Sequence, residues 1–171
     1  AFQSNRDGNW EIYKTDPSGA QQIRLTNDLA ADTEPVWNKD CTHLAFGSNR
    51  DGNEELYVMD KDGKDIRRLT DNPAIDRNPT WSPDGRYLAF ESNRGGQFDI
   101  YKLEIATGQV TQLTESTADD VSAAWLPYCN YIFFQTLRDG NLEVYRMLED
   151  GSQETNVRRR PSDTDAISLW Q

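Results

Sequence analysis

The chain has 171 residues and a formal net charge of −11, from 29 acidic and 18 basic side chains. This charge disfavours binding to DNA or RNA by phosphate neutralisation, because a long-range repulsion would have to be overcome first. No window approaches about 18 continuous apolar residues, so no membrane insertion is predicted. The two cysteines are too few for a disulfide framework.

One phrase recurs four times along the chain. It reads AFQSNRDGNWEIY at 1–13, AFGSNRDGNEELY at 45–57, AFESNRGGQFDIY at 89–101 and FFQTLRDGNLEVY at 133–145. Successive copies start 44 residues apart, as the printed numbers show. The tryptophans follow the same step, with one extra residue before the last: Trp37, Trp81, Trp125 and Trp170. A period of this length is typical of stacked-repeat architectures.

Each repeat is predicted to contain four short strands. In chain order, the first repeat offers strands from residues 1, 11 and 22, and the second full unit, 77–114, offers 78–81, 87–92, 98–103 and 110–113. Ser82-Pro83-Asp84-Gly85 predicts a hairpin turn, because Pro sets one turn dihedral and Gly supplies a positive one. A final strand is predicted at 166–170. No segment shows a helical apolar period.

Four antiparallel strands per 44-residue unit predict an all-β fold, a β-propeller with one repeat per blade. The recurring Ser-Asn-Arg-Asp-Gly, Ile-Tyr, Arg-Leu-Thr and Trp-Ser-Pro-Asp-Gly elements resemble the TolB-like (WD40-like) propeller repeat. We expect a single domain over 1–171, with repeats at about 1–44, 45–88, 89–132 and 133–171.

The strand inventory favours a ring of four four-stranded blades, in which the C-terminal strand completes the N-terminal blade and hides its open edge. A ring of four blades would differ from the family that the repeats resemble, since TolB itself has six blades. Two alternatives therefore stay open: the units form an arc of a larger ring, or two chains associate into eight blades.

An aspartate lies five residues before each tryptophan. In a propeller this loop feeds the innermost strand, so the four carboxylates are predicted to line one mouth of the channel as a binding site: Asp32, Asp76, Asp120 and Asp165. Like charges held together favour a hard cation such as Ca²⁺. The alternative is that each Asp caps its own loop by accepting backbone N–H bonds.

An arginine and an acidic residue recur five positions apart, across a glycine-containing turn. We predict cross-strand charge pairs that brace each blade, formed by Arg6, Arg50, Arg94 and Arg138 with Glu11, Glu55, Asp99 and Glu143. The tryptophans are predicted to be structural.

Two further positions leave alternatives open. The residue before the acidic one varies (Trp10, Glu54, Phe98, Leu142) and either packs in the core or exposes a partner-binding aromatic. Cys41 and Cys129 replace the glycine seen at Gly85, an unfavourable exchange if the site needs a positive φ. Free thiols are expected, and a disulfide between chains is the alternative.

No pattern of catalytic residues recurs. The only histidine, His43, has no repeated nucleophile beside it, and no Gly-x-Ser-x-Gly sequence occurs. The resemblance to TolB-like propellers implies a non-enzymatic module that binds a protein or peptide over the channel mouth, in a bacterial periplasmic or extracellular setting. The alternatives are a structural bead of a self-assembling extracellular fibre, or an accessory sensor or carbohydrate-binding domain.

Overall fold

The computed structural model describes residues 1–126 and 128–157, which form fifteen β-strands. The first sheet contains β1 (Phe2–Ser4), β2 (Glu11–Thr15) and β3 (Gln22–Arg24). The second contains β4 (Asp32–Trp37), β5 (His43–Ser48), β6 (Glu55–Asp60) and β7 (Arg67–Arg68). The third contains β8 (Asp76–Trp81), β9 (Tyr87–Ser92), β10 (Asp99–Glu104) and β11 (Val110–Gln112). The fourth contains β12 (Asp120–Trp125), β13 (Tyr131–Thr136), β14 (Glu143–Leu148) and β15 (Thr155–Asn156).

Strand order follows chain order in every sheet, so each sheet is a meander of hairpins. The predicted all-β, blade-like architecture is confirmed, and the strand predicted at 87–92 is matched by β9. The predicted closing strand at 166–170, with Asp165 and Trp170, lies outside the described residues. The first sheet accordingly has three strands in the described part of the chain, and ring closure stays a prediction.

The chain divides into two compact units, 1–79 and 80–171, with the boundary inside β8. The single domain predicted over 1–171 therefore stays a prediction. In the first unit β4 packs against β1 and β2, and in the second β12 packs against β9 and β10. No described segment forms a helix long and apolar enough to span a membrane.

The repeated phenylalanines are the largest fully buried side chains: Phe46, Phe90 and Phe134. Each lies beside the tyrosine of the next strand, as in the Phe46–Tyr57 pair with ring centroids 5.7 Å apart. Burying one such side chain contributes roughly 1.5–3 kcal/mol. The 44-residue recurrence of Phe and Tyr thus places one aromatic pair in the middle of each sheet.

Candidate functional site

The first strand of each four-stranded sheet, here called the lead strand, begins with one of the predicted aspartates. Asp32 begins β4, is fully buried, and accepts hydrogen bonds from Arg50 Nη2 at 2.9 Å on both carboxylate oxygens. Asp120 begins β12, is also fully buried, and accepts from Arg138 Nη2 at 2.6 Å. Asp76, the first residue of β8, is fully buried and accepts from Asn72 Nδ2 at 2.7 Å.

These contacts correct the predicted partners of Arg50 and Arg138, which pair with Asp32 and Asp120. Glu11 is paired with Arg24 Nη2 at 2.6 Å and Glu55 with Arg68 Nη2 at 3.1 Å, in the last strand of each sheet. Asp99 accepts from Gln112 at the same place, and Glu143 from Asn156. The physical reason is that the turn arginine lies over the aromatic pair: the Arg50 guanidinium carbon is 4.9 Å from the Tyr57 ring centroid, and the head group reaches the lead strand.

Arg6 occupies the same position in the first sheet, with no such carboxylate among the residues that the structure describes. Its guanidinium lies over Phe2 and Tyr13, and it donates to Ser4 Oγ at 2.9 Å and Gln22 Oε1 at 2.5 Å. Among the described residues Arg6 makes no ion pair. Arg94 lies over Phe90 and Tyr101 in the same way.

A buried acidic residue at the start of the strand before the last one holds the end of each sheet. Glu11 is fully buried and accepts from Thr26 Oγ1 at 2.6 Å and from the Asp28 backbone N–H at 3.1 Å. This ion pair with Glu11 raises the pKa of Arg24. In the third sheet burial, with repulsion from Asp120, raises the pKa of Asp99, since Gln112 supplies no positive charge.

An amide side chain fixes the loop that leads from each sheet to the next lead strand. Asn9 Nδ2 donates to the carbonyl oxygens of Asp28, at 2.9 Å, and Ala30. Asn53 binds the carbonyls of Asn72, at 2.8 Å, and Ala74 in the same way. We did not single out these asparagines from the sequence, although their place in the Arg-Asp-Gly-Asn phrase was the available signal.

Two large apolar side chains are exposed beside the first of these loops. Trp10 is 41% exposed and Leu29 is fully exposed, and the Trp10 carbonyl accepts the Asp32 N–H at 2.8 Å. Asp28, which precedes Leu29 in the chain, and Asp7, in the turn before Trp10, are exposed as well. We call Asp7, Trp10, Asp28 and Leu29 the Trp10 surface. Of the two alternatives left open for this position, exposure thus applies to Trp10. The residues at the equivalent positions are half-buried: Glu54, Phe98 and Leu142.

Metal binding by the lead-strand aspartates stays a prediction. In residues 1–126 and 128–157, no group of three or more acidic, histidine or cysteine side chains is arranged to hold a metal ion. Asp32 and Asp120 are neutralised by arginine, and Asp165 lies outside the described residues.

The lead strands carry a feature that sequence reasoning missed. Glu34, Asn78 and Ser122 have positive φ values of 56°, 51° and 55°, in the left-handed region that residues other than glycine rarely adopt. Their N–H groups donate to side chains: Glu34 to Gln3 Oε1 at 2.6 Å, Asn78 to Glu34 Oε2 at 2.6 Å, and Ser122 to Glu91 Oε1 at 2.7 Å. The pairing register shifts at this point in β4 and β12.

Both cysteines are free thiols in the structure, Cys41 exposed and Cys129 partly so. Cys41 has φ 54°, close to the 71° of Gly85 at the equivalent turn, so the predicted backbone strain is confirmed there. A disulfide between chains stays a prediction.

Comparison with known proteins agrees with this geometry. Residues 42–114 match the family model of the TolB β-propeller domain. The structure resembles a TolB from Agrobacterium tumefaciens with TM-score 0.81 and 24% identity, over 90% of this chain and 58% of that one. It resembles TolB from Acinetobacter baumannii with TM-score 0.80 and 29% identity, over 91% and 39% of the two chains. The predicted resemblance to the TolB-like repeat family is confirmed.

The same fold also occurs in enzymes. A puromycin hydrolase superposes with TM-score 0.64 at 20% identity, over 84% of this chain and 24% of that one. Identity at this level shows the fold alone. No curated protein matches the chain.

Proposed function

We propose, from the TolB-like propeller repeats that this chain carries, that it is a non-enzymatic module that binds a protein or peptide through the Trp10 surface. The observation that supports this is the exposure of Trp10 and Leu29 on a loop whose backbone is already fixed. Tryptophan is among the residues that contribute most to protein–protein interfaces. A loop held by the Asn9 side chain loses little further freedom on binding, which favours affinity.

The charge of this surface defines the chemistry of the partner. Asp28 precedes Leu29 in the chain, Asp7 lies in the turn before Trp10 and is paired with Arg24 at 3.3 Å, and the whole chain carries −11. A segment with basic residues around an apolar anchor is attracted to such a surface, and an acidic one is repelled. The buried Asp32 acts indirectly, because its N–H and its ion pair with Arg50 fix the loop that presents Leu29.

The likeness to the TolB structures supports a bacterial periplasmic setting for this module, and an extracellular setting stays a prediction. The structural bead of a fibre and the accessory domain of a larger protein stay predictions.

A site-specific photo-crosslinker at position 10 tests this function. With periplasmic extract we expect this chain to capture a protein. The capture is expected to be lost when the chain with the crosslinker at position 10 also carries Leu29→Ser. The matched control carries the crosslinker at Ile66, which is 40% exposed and lies next to β7. Equal capture at the two positions, or capture unaffected by Leu29→Ser, contradicts the proposal.

A further inference from the structure

A small hollow lies on one face of the third sheet, next to the turn between β10 and β11. Its volume is about 190 Å³. That is roughly the space that six water molecules occupy in the liquid, and it is enough for one sugar ring. The residues that line the hollow all belong to this sheet and to its turn: Tyr87, Lys102, Glu104, Gln109 and Thr111.

Strand pairing brings these side chains to one face. Tyr87, the first residue of β9, is paired with Glu104, the last residue of β10. Lys102 is paired with Thr111 of β11. Paired residues share a face, and so do residues two positions apart on one strand, which places all four together. Gln109 lies in the turn that leads into β11. One sheet of the second unit thus supplies the lining of the hollow.

The aromatic and basic side chains of the hollow are held in place. The Tyr87 ring stacks on Trp125, which is 5% exposed, with ring centroids 6.4 Å apart. Lys102 Nζ lies 5.1 Å and the Arg86 guanidinium carbon 5.2 Å from the Tyr87 ring centroid. Lys102 Nζ also donates to the Glu149 carbonyl at 2.7 Å. Groups that are fixed before a ligand arrives lose little freedom when it binds.

Several polar atoms of the hollow are available to a ligand. Three side chains have hydroxyl or amide groups that are not bound by any described residue: Tyr87, Gln109 and Thr111. Glu104 accepts from Thr107 Oγ1 on Oε2, whereas its Oε1 is 3.7 Å from Arg86 Nη2, too far for a hydrogen bond. The ammonium of Lys102 has donors beyond the one that it gives to Glu149.

The equivalent positions of the first sheet, two repeats earlier, use the same kinds of group within the protein. Lys14 is paired with Asp62 at 2.9 Å. The acidic residue there, Asp16, accepts hydrogen bonds from its own turn, among them the Gln21 N–H at 2.9 Å. Ile23 stands where the third sheet has a threonine. The third sheet therefore differs from a repeat of the same backbone in keeping these groups available.

The chemistry of the lining indicates a neutral ligand that is rich in hydroxyl groups. Of the lining residues Lys102 and Glu104 are charged, with opposite sign, and the net charge of −11 disfavours an anion. A sugar hydroxyl both donates and accepts, so neighbouring hydroxyls match a set that combines a carboxylate, an ammonium, an amide and a hydroxyl. A few convergent polar groups in a concave site are typical of small-molecule binding.

We propose that this hollow binds one ring of a neutral sugar. Glu104 accepts hydrogen bonds from neighbouring sugar hydroxyls, and Lys102 and Gln109 donate to them. The site is separate from the Trp10 surface, because its residues belong to the second unit and those of the Trp10 surface to the first. The protein-binding function and the sugar site therefore stand or fail independently.

Saturation-transfer difference NMR on the 171-residue chain tests this inference. The probes are D-glucose, D-galactose, D-mannose and N-acetyl-D-glucosamine, and we expect transfer to at least one of them with a millimolar dissociation constant. Glu104→Gln removes a charged acceptor and is expected to raise that constant at least tenfold. The absence of transfer to all four sugars at millimolar concentration overturns the inference.

A pair of matched variants distinguishes this hollow from weak binding elsewhere. Thr111→Ile introduces the residue that the first sheet has at this position, so we expect the strand to accept it, while the larger side chain fills the hollow and abolishes transfer. Thr155→Ile makes the same change at the equivalent position of β15 and is expected to leave transfer unchanged.

Two results of this comparison contradict the proposal. Circular dichroism first confirms that each variant is folded. Transfer to folded Thr111→Ile as strong as to wild type overturns the site, and this variant keeps the test valid should Glu104→Gln not fold. Tighter binding of inorganic phosphate than of every sugar overturns the ligand class, because the hollow would then select an anion.

Discussion

At the residue scale, the turn arginine shows how one side chain serves two neighbours. Arg50 covers the Phe46 and Tyr57 rings and neutralises the buried Asp32, whereas Arg6 covers Phe2 and Tyr13 without a described carboxylate partner. The two arginines thus share the ring contacts and differ in the ion pair. The chain provides its own control for the energy of that pair.

We expect Arg50→Gln to lower the free energy of unfolding by about 3–5 kcal/mol, because it leaves the fully buried Asp32 without its positive partner. Arg6→Gln loses its ring contacts and its hydrogen bonds to Ser4 and Gln22 but leaves no described buried carboxylate unpaired, and is expected to lower it by about 1 kcal/mol. Urea titration of the two variants measures the difference. Equal losses would show that the ion pair contributes nothing beyond the ring contacts.

At the element scale, the lead strands combine regular pairing with a local irregularity. Ser122 adopts φ 55° between residues that pair regularly with β13. A left-handed L-residue costs roughly 1–2 kcal/mol. The conformation persists because Glu91 accepts the Ser122 N–H, an acceptor that a regular strand would not need.

Ser122→Gly is therefore expected to raise the free energy of unfolding by about 1 kcal/mol, since glycine adopts positive φ without steric cost. Val121→Gly, one residue earlier in the same strand, is expected to lower it by about 1 kcal/mol through lost side-chain packing and greater freedom of the unfolded chain. Thermal unfolding reports both changes. Destabilisation by both glycines would mean that the bulge carries no strain.

At the scale of the whole molecule, the two units repeat one junction between neighbouring sheets, in which a turn glycine packs against a backbone carbonyl: Gly63 against Leu25, and Gly151 against Leu113. The glycines at this junction differ from other turn glycines in their surroundings, not in their backbone conformation. Gly63 faces the Leu25 carbonyl, whereas Gly108, with φ 74°, has no described atom within 4 Å of an added Cβ.

We expect Gly63→Ala to lower the free energy of unfolding by about 2 kcal/mol more than Gly108→Ala. Both substitutions strain a positive φ, and the first alone forces a Cβ against a backbone oxygen. Chemical denaturation of the two variants gives the comparison. Equal destabilisation would show that the junction relaxes freely.

The sequence by itself determined the repeat, the strand meander and the resemblance to TolB-like propellers, because these depend on residue types that recur at a constant step. It also located the lead-strand aspartates, yet it paired Arg50 and Arg138 with the wrong carboxylates. Spacing along the chain says which residues recur, and only the stacking of Arg50 on two rings decides where its guanidinium points.

The tertiary structure alone decided the left-handed residues, the exposure of Trp10 and the close packing of Gly63 against the Leu25 carbonyl. Glu34, Asn78 and Ser122 share no residue type, so no pattern marks their common backbone conformation. Gly63, Gly19 and Gly108 are alike as letters and as dihedrals, and differ only in what the neighbouring sheet brings near them. Such contacts join residues that are distant in sequence, and their geometry exists only after the sheets have packed.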